Sequence, residues 1–178
     1  MTKPSFPCTT SVVELSTAFD DLLFSLSALQ RLGELAVYDL DKAAYLQQFL
    51  AIAHDVFSAS TSLIYRVEQD EEAGLNEVMA LDGQQPLHWR SPTSTEATYL
   101  QLTREALPSR IETAGHMHEF RSDQFPCDLI SAALFSEKKL IGILMVQHPL
   151  TVPFNLWEQR LIRLFCLFAG QQLALCAE

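Results

Sequence analysis

Basic residues are the scarce component of this 178-residue chain: 12 Lys and Arg stand against 22 Asp and Glu, giving a net charge of -10. They are scattered rather than gathered in a stripe, which removes the electrostatic footprint that direct nucleic-acid binding needs. The acidic excess serves solubility. No apolar run approaches the roughly 18 residues of a membrane span. The N-terminus, Met1 to Cys8, has one Lys and no apolar stretch, so it does not read as a secretory signal. Cysteine is limited to Cys8, Cys127, Cys166 and Cys176, with no CxxC pair and no zinc-like spacing. The expectation is free thiols in a reducing cytoplasm. Only 6 glycines occur, and no GxGxxG, Walker loop, HExxH or GxSxG arrangement is present. That removes the sequence signatures of dinucleotide folds, P-loop enzymes, zinc proteases and α/β-hydrolases. Internal repeats and low-complexity tracts are also missing.

What the chain has is hydrophobic residues, 48% of the total, enough at this length for one domain with an extra element. The strongest local pattern runs from Asp128 to Leu175. Leu129–Phe135 and Leu140–His148 read as two strands joined by the polar turn Ser136-Glu137-Lys138-Lys139. The second is nearly all apolar rather than alternating, which predicts a central strand covered on both faces. A loop with two prolines leads into a helix from Asn155 to about Cys176. Asn155-Leu156-Trp157-Glu158 has the form of a capping box. This helix is apolar over more than one face and needs cover from its own sheet and from another helix, in this chain or in a second subunit.

Upstream, residues 1–12 read as a loose lead-in and 13–38 as an N-terminal helical element, its helix spanning Val13 to about Leu32. Leu15, Phe19, Leu22, Leu26 and Leu29 recur at spacings of 4, 3, 4 and 3 and trace one stripe. The stripe packs either on its own domain or on a symmetry mate, and Gly33 is placed to end the helix as a left-handed cap. Asp39 or Asp41 caps a second helix, Lys42 to about Phe57. Thr61–Glu68 is the first strand, with Leu63, Tyr65 and Val67 alternating, and Asn76–Leu81 is the second, closed by Asp82-Gly83. Residues 84–95 look irregular. Ser94 or Thr95 caps a helix from Glu96 to about Leu107, which Pro108 stops, and Arg110–Thr113 suits a short strand.

The chemically mixed stretch is Ala114 to Cys127. His116 and His118 lie two apart, so on extended backbone they point the same way. Glu119, Asp123 and Cys127 are near in sequence, which makes a metal or haem site conceivable. Two histidines in a polar loop are more often surface groups, and no metal is predicted. Arg90, Arg110 and Arg121 are either forked donors for an anion or ordinary surface arginines. Trp89, Phe120 and Phe125 either floor an apolar pocket or seal the second face of the sheet.

Helix, strand, strand, irregular segment, strand, hairpin, helix is the order of an α+β domain with a mostly antiparallel sheet. At this level the chain resembles the GAF domain family over about residues 40–177. The likeness lies in Phe49–Val67, in Leu129–Phe135 followed by Leu140-Ile141-Gly142-Ile143-Leu144, and in Pro153-Phe154-Asn155-Leu156-Trp157-Glu158 before the closing helix. Gly142 has a reason of its own, since a missing side chain lets a helix or loop approach the central strand. The resemblance implies a GAF-like fold over residues 39–178: a sheet of about five to six strands, terminal helices on one face and a ligand pocket on the other.

It further implies a non-catalytic sensory module in the cytoplasm that signals through those helices, commonly as a homodimer. The expected pocket residues are Tyr65, Trp89, Arg90, His116, His118, Phe120, Arg121, Phe125 and Cys127. The expected dimer residues are Leu15, Phe19, Leu22, Leu26, Leu29, Leu161, Phe165 and Phe168. A small-molecule ligand and a signalling partner protein are the implied partners, and the residues name no cofactor.

The family's chromophore-binding members place a histidine after the attachment cysteine, whereas Asp128 follows Cys127 here. Its cyclic-nucleotide signature Asn-Lys-Phe-Asp-Glu is not found. Its sulfoxide reductases use several pocket-loop cysteines, and only Cys127 is so placed. The alternatives are therefore a ligand-free interaction scaffold and, more remotely, a thiol redox enzyme.

Overall fold

The computed structural model describes residues 8–35, 40–66, 78–106, 117–118, 129–136, 139–149 and 154–176. The elements in chain order are α1 (Cys8–Leu35), α2 (Lys42–Val56), β1 (Thr61–Arg66), β2 (Val78–Asp82), β3 (His88–Arg90), α3 (Ser94–Ala106), β4 (Met117–His118), β5 (Leu129–Ser136), β6 (Lys139–Gln147) and α4 (Leu156–Leu173). The strands form one six-stranded sheet in the order β3-β2-β1-β6-β5-β4. Every pairing is antiparallel.

The nearly all-apolar β6 lies in the middle of that order beside β1, and Ile143 to Val146 are buried consecutively. β1 behaves the same way: Ser62 to Tyr65 are all buried, where simple alternation was expected. Strands covered on both faces lose the period-2 signature. Side chains alternate faces along each strand, so the sheet separates two cores. Ile64, Met79, Leu134, Leu144 and Val146 belong to the larger core, which is shared with α1, α2 and α4. Leu63, Tyr65, Val78, Ala80, Ile143 and Met145 face the other way, toward Tyr99 and Leu100 of α3.

Local signals explain how the first layer is placed. Asp41, one of two expected caps, accepts from the Ala44 amide at 2.7 Å and opens α2. Asn155 and Glu158 form the expected capping box at the start of α4. α4 meets the sheet mainly at β5, and the approach is tightest at Gly170, where an added Cβ would overlap the Phe135 carbonyl. Gly142 also sits at a close approach, but what comes near is the Tyr65 carbonyl of neighbouring β1, 2.8 Å from an ideal Cβ, and not a helix or loop.

α1 differs from its expected form. It begins at Cys8, inside the stretch expected to be loose, and continues through Gly33 to Leu35. The only glycine with positive φ among the described residues is Gly83, at +60° in the turn from β2 toward β3, so Gly33 is no left-handed cap. From residue 12 onward the buried residues of α1 lie in its C-terminal part: Ser25, Ala28, Leu32 and Leu35. Ser25 receives the Trp157 indole N–H at 3.0 Å, at the first turn of α4. The expected strand Arg110–Thr113 lies outside the described residues.

A Gly170→Ala substitution should cost at least ~2 kcal/mol, because the obstacle is backbone and cannot rotate away. Gly33→Ala meets nothing within 4 Å and should gain ~0.5–1 kcal/mol by stiffening the helix. Urea denaturation of the two variants beside the wild type checks this. Equal stabilities would refute the close-approach account.

Candidate functional site

One row of register partners crosses four strands at one end of the second face. Asp82 of β2 pairs with Thr61 of β1, Thr61 with Gln147 of β6, and Gln147 with Leu129 of β5. This row floors a cleft of about 560 Å³ whose wall is the end of β3 and the start of α3, from Arg90 and Ser91 to Thr93, Thr95 and Glu96. Antiparallel pairing puts the row's side chains on one face, and the turn at Gly83 brings β3 back alongside it.

The electrostatic centre is Arg90. Its Nε and Nη2 donate to Asp82 at 2.8 and 3.2 Å. Nη1 and Nη2 donate to Glu96 at 2.7 and 2.8 Å, and Nη1 also reaches the Ser91 carbonyl at 3.2 Å. These bonds engage a guanidinium's five N–H donors. They raise the Arg90 pKa, Glu96 contributing most and Asp82 next.

Burial pulls both carboxyls upward. The hydrogen bonds and charge of Arg90 outweigh it, helped by Thr61 and His88 at Asp82 and by Thr93 at Glu96, and leave both below the usual carboxylate range. Glu96 has a second role. Its carboxylate accepts from the Thr93 amide at 2.7 Å while its own amide donates to the Thr93 hydroxyl at 3.3 Å. Thr93, not Ser94 or Thr95, is therefore the cap of α3, in a capping box visible as Thr93-Ser94-Thr95-Glu96.

The expected pocket residues are distributed unevenly. Arg90 lines the cleft, but its fork is spent on two carboxylates rather than open to an anion. Tyr65 is buried in the second-face core beneath α3 and does not line the cleft. Trp89 corrects the expectation of a pocket floor: it pairs with Met79, whose side chain lies in the helix-side core, so Trp89 stands on the opposite face, 43% exposed. His118 stands opposite Ser131 in the β4–β5 register. His116, Phe120, Arg121, Phe125 and Cys127 lie outside the described residues. Sequence reading passed over Thr61, Asp82, Glu96 and Gln147, whose convergence depends on strand register and a helix cap.

The expected dimer residues also divide. Leu161 and Phe165 are fully buried in the protomer's own core, where Phe165 packs edge-on to Phe57 at 5.6 Å, so they present nothing to a partner. Leu29 and Phe168 are partly buried against the same core. Leu15, Phe19, Leu22 and Leu26 are exposed. Among the described residues no group of three or more His, Cys, Asp or Glu side chains is placed to hold a metal ion. Among them, too, no helix is long and apolar enough to cross a membrane.

A six-stranded antiparallel sheet with terminal helices on one face and α3 on the other defines an α+β domain. The GAF domain family model matches residues 41–173, and the chain belongs to that family. Among solved structures it is similar to the GAF domain of a phosphoenolpyruvate-protein phosphotransferase from Acinetobacter. That match has 13% identity and a TM-score of 0.53, and covers 84% of this chain and 92% of that one. It is similar as well to a free methionine-R-sulfoxide reductase from Neisseria meningitidis in complex with its substrate, at 13% identity and TM-score 0.53, covering 86% and 90%. The GAF domain of the phosphotransferase from Coxiella burnetii matches at 10% identity and TM-score 0.52, covering 85% and 94%. At these identities the likeness is one of fold. Among curated proteins no match is found.

Exchanging Arg90 for Met should cost about 2 kcal/mol, since it strands two partly buried carboxylates. The paired carboxylates have depressed folded pKa values, so their contribution is present above the ordinary carboxylate pKa of about 4 and is lost as pH falls through the folded values. Wild-type stability should therefore drop more steeply than that of Arg90→Met when denaturation is followed from pH 6 down to about 3. Parallel curves would show that the pairing adds no stability.

Proposed function

We propose that this protein is a non-catalytic sensory or regulatory module of the cytoplasm. It binds a small molecule in the cleft above the Asp82–Thr61–Gln147–Leu129 row and passes occupancy to its terminal helices, working as a dimer. The single observation that carries this reading is the cleft itself, an open polar space with a preorganised floor in a family whose members are typically sensory. The two tightly bound carboxylates, the hydroxyls of Thr61, Ser91, Thr93 and Thr95 and the Gln147 amide offer mainly acceptors and reversible donors. With Arg90 already engaged, they suit a neutral hydrogen-bonding or cationic ligand better than an anion. His116, His118, Phe120, Arg121, Phe125 and Cys127 are proposed as further ligand contacts on the strength of their chemistry in the sequence alone.

Transmission has a short route. The strands that floor the cleft carry, on their reverse face, the side chains that pack on α2 and α4. Ser62 of β1, for example, meets His54 of α2 at 3.1 Å. A ligand that favours one spacing of α3 and the sheet over another shifts the arrangement of those helices.

A second reading, an interaction scaffold without ligand, is favoured by the exposed apolar residues of α1 and α4. Thiol redox chemistry was expected of Cys127, which lies outside the described residues, and Cys166 does not supply it. The Cys166 thiol is fully buried and its pKa is pushed up, away from the thiolate that such chemistry needs.

Denaturing extraction of the purified protein, with mass and absorbance spectra of what is released, tests the reading together with a thermal-shift panel of polar and cationic metabolites. A released compound, or a panel member whose stabilisation disappears in Thr95→Trp while the fold persists, is the expected result. An empty extract and a flat panel would leave the scaffold standing in its place.

A further inference from the structure

His88 is held between two acceptors beside the cleft. Its Nδ1 lies 3.0 Å from the Pro86 carbonyl, and its Nε2 lies 3.4 Å from Asp82 Oδ2. A carbonyl and an ionised carboxylate only accept, whereas a neutral imidazole carries a single N–H. With Nδ1 donating to Pro86, the neutral ring turns its lone pair toward the Asp82 carboxylate. The imidazolium satisfies both neighbours. The side chain is 33% exposed, so it exchanges its proton with solvent directly.

The charges around this ring do not balance. Arg90 bonds to both Asp82 and Glu96 and joins them into one cluster, with two carboxylates to one guanidinium. The charged groups acting on Asp82 are Arg90 of β3 and His88 of the same strand, and the one acting on Glu96 of α3 is Arg90. With His88 neutral the cluster keeps one uncompensated negative charge. With His88 protonated it is balanced. The other lining residues of the cleft are uncharged, and the Glu96 side chain is only 9% exposed. A leftover charge in such a place is poorly screened by solvent and attracts a cation.

We infer that this leftover charge is neutralised alternately by the proton on His88 and by the ammonium group of a small monocation bound in the cleft, so that taking up the ligand releases the proton. The inference rests on the cleft reading above and adds the ligand's charge and the proton it exchanges. An ammonium group is all donor, and the carboxylates and hydroxyls of the lining accept. Asp82 lines the cleft and His88 does not, so proton and ligand act on each other through the charge of Asp82, without contact. Both carboxyls are held below the usual carboxylate range and stay ionised above about pH 5. A proton exchanged between about pH 5 and 8 is therefore a histidine's.

Ethanolammonium, ethylene glycol and acetate are a cation, a neutral molecule and an anion of nearly equal size. Each is titrated into the full nitrogen-labelled chain at about pH 5.5 and about pH 8, on either side of the ordinary histidine pKa. The amide resonances of Thr61, Ser91, Thr93 and Thr95 report binding in the cleft. Ethanolammonium should shift them saturably and bind about tenfold or more tighter than its companions. Its Kd should fall roughly threefold or more from the lower pH to the higher. His88→Gln, with no proton to exchange, should keep the high-pH affinity at both values. His88→Lys, whose charge is permanent over this range, should keep the low-pH affinity at both. Circular dichroism checks the fold of each variant. Ethylene glycol or acetate binding as tightly as ethanolammonium would overturn the inference and leave the cleft reading standing. A pH dependence that persists in His88→Gln would overturn the exchange at His88. No shift from any of the three would remove the inference and the cleft reading together.

Discussion

Helix α4 comes so close to β5 at Gly170 that backbone meets backbone, and the rest of the helix-side core is arranged by that contact. With α4 seated there, Ile162, Phe165 and Ala169 reach the sheet and α2, and Trp157 is carried to the point where α1 joins the layer. A side chain at position 170 would lift the helix and open space beneath all of them. Dispersion and hydrophobic gains in a close-packed interior fall off within an ångström, so a single missing Cβ has leverage over a whole layer.

The second face is held differently. α3 contributes Tyr99 and Leu100 to the smaller core and a 2.8 Å hydroxyl pair, Thr103 with Ser131. At its other end it is tied by charge, through Glu96 and Arg90 to Asp82. One layer is thus fastened mainly by apolar fit, and the other by a small apolar patch and an ionic clasp. All three members of the clasp line the cleft. Since Glu96 also caps α3, any rearrangement of the clasp acts on the start of that helix.

What could be read from the sequence follows from the range of each signal. α2, the β5–β6 hairpin and α4 announce themselves by cap residues and apolar patterns contained within each segment, and their observed bounds lie close to those expected. β3 is three residues long and too short to show a period. The side of the sheet on which Trp89 falls depends on its pairing with Met79, a register that no local pattern encodes. The partners of Arg90 lie eight residues before it and six after, joined only by a hairpin turn and a helix cap. In α4 the apolar positions are visible in the sequence, but dividing them into core (Leu161, Phe165) and surface (Leu164, Leu167) requires knowing where the sheet lies. The stripe on α1 was legible as a stripe; that half of it leaves the domain was not.

The chain carries 2 tryptophans, and the fold gives them separate surroundings. Trp89 sits on the edge strand with its ring half in water. Trp157 is half-buried, its indole bonded to Ser25 where α1 joins the core. Indole emission depends on local polarity and hydrogen bonding, so the two rings are optically distinguishable probes built into the polypeptide. One watches the rim of the sheet and the other the junction of α1 with α4, and motion at either place can be followed by fluorescence without attaching a dye.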